Sequence, residues 1–257
     1  MTGRAGRAIS GLALPCALLV LAAVAPAAAT AANRQRLQVT IDPAGGRLDG
    51  GSRPVTLHFR LSRSTDSGAI SSPAAEDRFL LPRGFAVHPA ALRQCDLNVL
   101  IRKGPSAGRA CQIGSGTLQL AALTVNPTPP AAGTVTIFNA RPRGGRARIV
   151  TYALVTQPIR SEFWFKSDVR PTRRGDVIVV RETRLSIYGV PLTVLALDFT
   201  FGRAVGHGAG RRAYMTGPPR CGPAGSRIFG LRTTFYDPFT GAAPAGPPLL
   251  TSEPASC

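Results

Sequence analysis

Four arginines, Arg141, Arg143, Arg146 and Arg148, fall within the stretch Arg141-Pro142-Arg143-Gly144-Gly145-Arg146-Ala147-Arg148. A guanidinium is planar, permanently charged and forked, so it pairs well with phosphate or carboxylate oxygens. Placed around a Gly-Gly pair, these side chains predict a basic hairpin tip suited to an anionic envelope polymer or to lipid head groups. A solvated turn is the plainer reading of the same residues. The other groups with chemical potential are scattered. His58, His88 and His207 are far apart, and Ser115 in Gly114-Ser115-Gly116 reads as part of a turn rather than as a nucleophile. No Gly-x-Ser-x-Gly elbow is present, nor any His-Glu-x-x-His or Cys-x-x-Cys spacing for a metal. Glu162 and Asp168 share a strand face with Trp164 and Lys166, the company of a sugar site. Six residues of strand nevertheless separate the two carboxylates by roughly 20 Å, too far for a glycosidase pair. These residues name no catalytic group, no cofactor and no metal.

The elements that must position them are strands. Thr134–Asn139 and Arg148–Thr156 alternate apolar and polar residues on either side of the arginine-rich connection, whose Gly-Gly pair supplies the positive φ of a hairpin turn. Ser161–Val169 follows, with Phe163 and Phe165 opposite Glu162, Trp164 and Lys166. Asp176–Ile187 is entered through the turn Thr172-Arg173-Arg174-Gly175. In the last run of this core, Leu195, Leu197, Phe199 and Phe201 are expected on one face, with Val194, Ala196, Asp198 and Thr200 on the other. Earlier, Arg36–Ile41 and Pro54–Ser62 alternate in the same way, which turns His58 outward, and Arg63–Asp77 reads as a polar loop without period. Later, Arg227–Tyr236 places Phe229, Leu231 and Phe235 together.

The totals agree with a turn-rich β chain: 257 residues, 44% hydrophobic, with 28 Gly and 23 Pro. The net charge is +18, from 31 basic and 13 acidic residues, and only Lys103 and Lys166 are lysines. A GC-rich genome accounts for arginine over lysine but not for the excess of basic over acidic residues, which points to anionic partners. Arg4 and Arg7 precede an apolar run from Ile9 to about Val24 and an Ala-rich end, the pattern of a cleaved secretory signal over residues 1–31. Its removal leaves 29 basic residues and a mature charge of about +16. No nucleic-acid-binding motif is visible and aromatics make up 6% of the chain, so nucleic acid is not an expected partner. The mature chain retains Cys95, Cys111, Cys221 and Cys257, an even set that reads as two disulfides in an exported protein, with three pairings open.

Leu81-Pro82-Arg83-Gly84-Phe85 with Pro89, Leu92 and Cys95, then Cys111 and Gly114-Ser115-Gly116-Thr117, then Thr134–Asn139, resembles a group of uncharacterised exported β-rich proteins of high-GC Gram-positive bacteria. The resemblance spans most of the mature chain and carries no catalytic residues to transfer. This chain departs from the group's pattern in the short spacer Cys111-Gln112-Ile113-Gly114. Nearest-neighbour closure, which leaves the β core uncrossed, then predicts the pairs Cys95–Cys111 and Cys221–Cys257.

Taken together, the sequence predicts an all-β fold over residues 32–257, an antiparallel sandwich, with a curved half-barrel whose concave face holds lipid as the runner-up. An internal boundary is expected near 126–133. The expected function is that of a non-catalytic envelope or extracellular protein that binds an anionic polymer or lipid head groups. A carbohydrate-active or other hydrolytic enzyme is the alternative.

Overall fold

A computed structural model of the chain describes residues 32–43, 52–123, 131–157, 159–182, 184–207, 211–219, 227–237, 242–243 and 246–255. The expected signal segment, the Asn126–Pro130 connector and the Cys221–Cys257 pair lie outside the described residues. In chain order the strands are β1 (Asn33–Pro43), β2 (Arg53–Thr65), β3 (Ala74–Leu80), β4 (Ala86–Val87), β5 (Gln112–Ala122), β6 (Ala131–Arg143), β7 (Arg146–Val155) and β8 (Ser161–Thr172). They continue as β9 (Gly175–Arg181), β10 (Ser186–Ile187), β11 (Val190–Phe201), β12 (Ala204–Val205), β13 (Arg212–Ala213), β14 (Met215–Gly217), β15 (Ile228–Phe235) and β16 (Leu249–Pro254). One short α-helix, α1 (Leu97–Lys103), and two 3-10 helices, Pro89–Ala91 and Pro105–Cys111, interrupt them among the described residues. The α-helix is capped by the Asp96 carboxylate, which accepts from the amides of Asn98 and Val99.

The fold is all-β and antiparallel, as the alternation predicts. Its hydrogen bonding runs through one 14-stranded sheet in the order β16-β15-β3-β9-β8-β7-β6-β5-β11-β2-β14-β4, with β1 on the other edge of β2 and β10 on β11. β12 and β13 form a separate ribbon. No backbone ladder closes the roll among the described residues. Instead the Gln35 amide on β1 donates to the carbonyls of Leu231 (3.1 Å) and Leu249 (3.3 Å), which brings β1 alongside β15 and β16.

The inner face is the core. Val55, Leu57, Phe59 and Leu61 of β2 are buried in strict alternation, and Phe59 meets Phe199 at 5.1 Å, Phe79 at 5.5 Å and Phe229 at 6.2 Å between ring centroids. Each such pair contributes about 0.5–1.5 kcal/mol beyond its buried area, so this cluster ties β2, β3, β11 and β15 together. A smaller core lies outside the sheet, where Leu100 of α1 and Cys111 pack on Phe138 and Tyr152. The disulfide Cys95–Cys111 holds this flap to the sheet, and Asn139 clamps its entry by donating to the carbonyls of Pro89, Leu92 and Arg93.

Three sequence expectations are corrected here. Gly114-Ser115-Gly116 is strand, within β5, because a Cβ on Gly116 would overlap the Asp198 carbonyl oxygen of β11. The absent side chain therefore permits two strands to approach closely. On β11, a register shift between Val194 and Ala196 reverses the facing of the strand's first half, so Val194 joins Leu197, Phe199 and Phe201 on the inside. Arg63 and Asp77 are not in a loop: β2 and β3 extend to include them, and both side chains are buried.

Candidate functional site

The concave face of the sheet encloses a cavity of about 110 Å³. Phe59, Phe79, Leu120, Ile137, Ile178 and Phe199 supply buried apolar walls. Phe163, Phe165, Val180, Val194 and Leu197 also line it but are only half-buried, so apolar surface stays uncovered on the concave side. Uncovered apolar area forfeits about 25 cal/mol per Å² that burial would return. A dry cavity somewhat larger than this one is known to admit benzene, so the space suits a small ring or the end of an alkyl chain.

The wall of the cavity is interrupted by charge. Arg63 of β2 has a side chain with no exposed surface, and its Nη2 donates to both carboxylate oxygens of Asp77 on β3, at 2.5 and 2.6 Å. The Thr233 hydroxyl of β15 stands 2.6 Å from Asp77 Oδ1 and 2.7 Å from Gln35 Oε1; with one proton it can serve only one of them at a time. Glu182, just past β9, lies 3.8 Å from Arg63 Nη1, an ion-pair distance beyond hydrogen-bond range. Burial, and then the charge and hydrogen bonding of Asp77, push the Glu182 carboxyl well above the ordinary glutamate value, although Arg63 pulls it down. Arg63 itself is desolvated, which disfavours its charge, but Asp77 and Glu182 outweigh this and hold it protonated. Sequence reasoning missed this group by ending β2 at Ser62. The available signal was the unbroken alternation Leu61, Arg63, Thr65 and Asp77, Phe79, Leu81.

The basic hairpin forms as expected. Gly144 and Gly145 both have positive φ (57° and 72°) in a two-residue turn between Arg143 and Arg146. Only three of its arginines converge. Arg143, Arg146 and Arg148 line an outer groove of about 660 Å³ with Lys166 and Arg181, around Trp164 and the single carboxylate Asp168. Arg141, by contrast, pairs with Asp96 at 3.6 Å beside the α1 flap, because an irregularity between Ala140 and Arg143 breaks the strand's facing.

The remaining candidates do not assemble. Glu162 and Asp168 stay six positions apart on β8, paired with Arg160 (3.6 Å) and Arg181 (3.7 Å). Ser115 is exposed on the outer face of β5. His88 contacts the Thr216 hydroxyl at 2.8 Å, and His207 is exposed. On the outer face, His58 Nε2 sits 2.5 Å from Asp198 Oδ1, while Arg60 Nε donates to Oδ2 at 2.9 Å. Burial raises the Asp198 carboxyl, but hydrogen bonding and charge from His58, then Arg60, outweigh it and hold the carboxyl below its ordinary value. Among the described residues the hydrogen-bond partner of the His58 ring is Asp198, and no hydroxyl or thiol hydrogen-bonds it. The chain matches no family model, no curated protein and no solved structure.

Proposed function

We propose that this chain is an exported, non-catalytic binding protein whose concave face takes up a small apolar molecule. The observation that carries the reading is the cavity with its half-buried phenylalanines, Phe163 and Phe165, set against a mostly apolar wall. Sites for small molecules are typically concave, apolar and marked by few polar groups, which describes this space and Arg63 within it. Titration of the mature protein with toluene, followed through the methyl NMR signals of Val135, Ile137, Val180 and Leu197, tests it. Saturable shifts at these positions are expected. Ala153→Leu, which fills the cavity from β7, should abolish them. Shifts that do not saturate, or that survive this substitution, would defeat the proposal.

A second surface supports attachment to anionic envelope material. The outer groove gathers five basic side chains against one carboxylate, and exposed charges of this kind act over a Debye length of about 8 Å at physiological salt. Trp164, the chain's single tryptophan, lines this groove and reports on it directly. Teichoic-type polyphosphate or anionic vesicles should change Trp164 emission, and salt should reverse the change. Arg143→Ser, Arg146→Ser and Arg148→Ser together should weaken attachment more than the loss of Arg36, Arg83 and Arg173, which are exposed elsewhere. Equal loss in the two triple variants would leave net charge as the whole explanation.

A further inference from the structure

The polar part of the cavity wall decides which apolar molecule belongs there, an inference that rests on the concave face being a binding site. Arg63 lines the cavity with its side chain wholly buried. Its Nη2 is engaged by Asp77, but its Nε and Nη1 have no hydrogen-bond partner among the described residues. Buried donors without acceptors are costly, and native structures almost always satisfy them. Arg63 therefore keeps unused donor capacity beside the cavity, Nη1 having only Glu182 at 3.8 Å, beyond hydrogen-bond range.

The charge balance restricts the occupant further. Arg63 and Asp77 cancel. Glu182 adds nothing when protonated and a negative charge when ionised, so in neither state is there surplus positive charge for an anion. Burying an uncompensated carboxylate or phosphate beside this group would cost far more than one hydrogen bond returns. A hydrocarbon would fill the space yet leave Nε and Nη1 unsatisfied. What fits is an uncharged acceptor.

We propose that the cavity binds a small uncharged molecule joining an apolar chain or ring to a carbonyl oxygen, an ester, ketone or lactone, with that oxygen accepting from Arg63 Nη1 or Nε. The free acid of the same skeleton is excluded as its anion. Selection of this kind, by matching a buried polar group rather than by apolar fit, is the stronger form of discrimination available to a protein site.

Three probes of similar size separate the possibilities in the same methyl NMR titration: toluene, methyl butyrate and butyrate at neutral pH. Methyl butyrate is expected to bind about tenfold more tightly than toluene, the scale of one hydrogen bond from a charged donor. Butyrate is expected to bind at least about tenfold more weakly than its ester. In the double variant Arg63→Met with Asp77→Asn, which removes both charges together, the ester should fall to the affinity of toluene while toluene is unchanged. Loss of folding in the double variant leaves the wild-type comparison of the three probes decisive. Toluene binding as tightly as methyl butyrate, butyrate binding more tightly than its ester, or a preference that survives the double variant would overturn the inference. Failure of all three probes would instead fall on the cavity as a binding site, and the inference would go with it.

Discussion

Asp77 and Glu182 are unequal partners of Arg63, and separate substitutions should expose the difference. In Arg63→Met, the Asp77 carboxylate, 5% exposed in its side chain, loses its only cation among the described residues inside a low-dielectric wall. Breaking a buried pair from one side typically costs about 3–5 kcal/mol, because the remaining charge is stranded. Asp77→Asn is different. It leaves burial, the larger cause of the raised Glu182 carboxyl, but removes the contribution of Asp77 and leaves Arg63 to pull the carboxyl down, at an existing separation of 3.8 Å. Glu182 should then ionise and take over as counter-ion, so the cost should shrink to about 1–3 kcal/mol, that of lost hydrogen bonds. Urea unfolding of the chain, read as the change in midpoint at constant slope, measures both. Asp77→Asn with Glu182→Gln removes the substitute and should restore a cost comparable to that of Arg63→Met. If Asp77→Asn alone is as destabilising as Arg63→Met, or if adding Glu182→Gln changes nothing, Glu182 is not the reserve counter-ion and the account of this group is wrong.

The raised Glu182 carboxyl also makes stability fall with rising pH. Its protonation stabilises the fold fully below the ordinary value of 4.5, and that contribution is lost as pH climbs through the higher native value. Unfolding midpoints measured across this window should decline in the wild type, and Glu182→Gln should flatten the slope. Gly116→Ala should destabilise by more than about 1 kcal/mol, since its Cβ meets backbone rather than a movable side chain; a neutral result would mean that β5 and β11 can separate freely. Replacing Cys95 and Cys111 with serine opens a loop of 16 residues. In the chain-entropy view this costs about 3 kcal/mol, visible as a lower thermal midpoint.

Much of the strand content was legible because it depends only on local alternation. Val55 to Leu61, Phe163 and Phe165, and the Gly144-Gly145 turn each carry their own signal within a few residues, since strand faces alternate with period two and a tight hairpin demands positive φ. The same local rule failed where its cue was chemical rather than geometric. Arg63 and Asp77 continue the inward positions of β2 and β3, but charge reads as exposure until a partner from another strand is known. Leu195 shows the converse: its type suits the core, yet the displacement of register on β11 is set by pairing with β5. The arginine cluster was visible as a count, while its division into a converging trio and Arg141 depended on Asp96 approaching from the flap. The sequence by itself therefore determined an all-β chain with a basic hairpin. Only the tertiary structure decided that the sheet rolls into one surface with a cavity on its concave side, and that Arg63 of β2, Asp77 of β3 and Glu182 beyond β9 meet there. The reason is physical: burial and charge compensation are properties of pairs far apart in the chain, and no single strand contains both members.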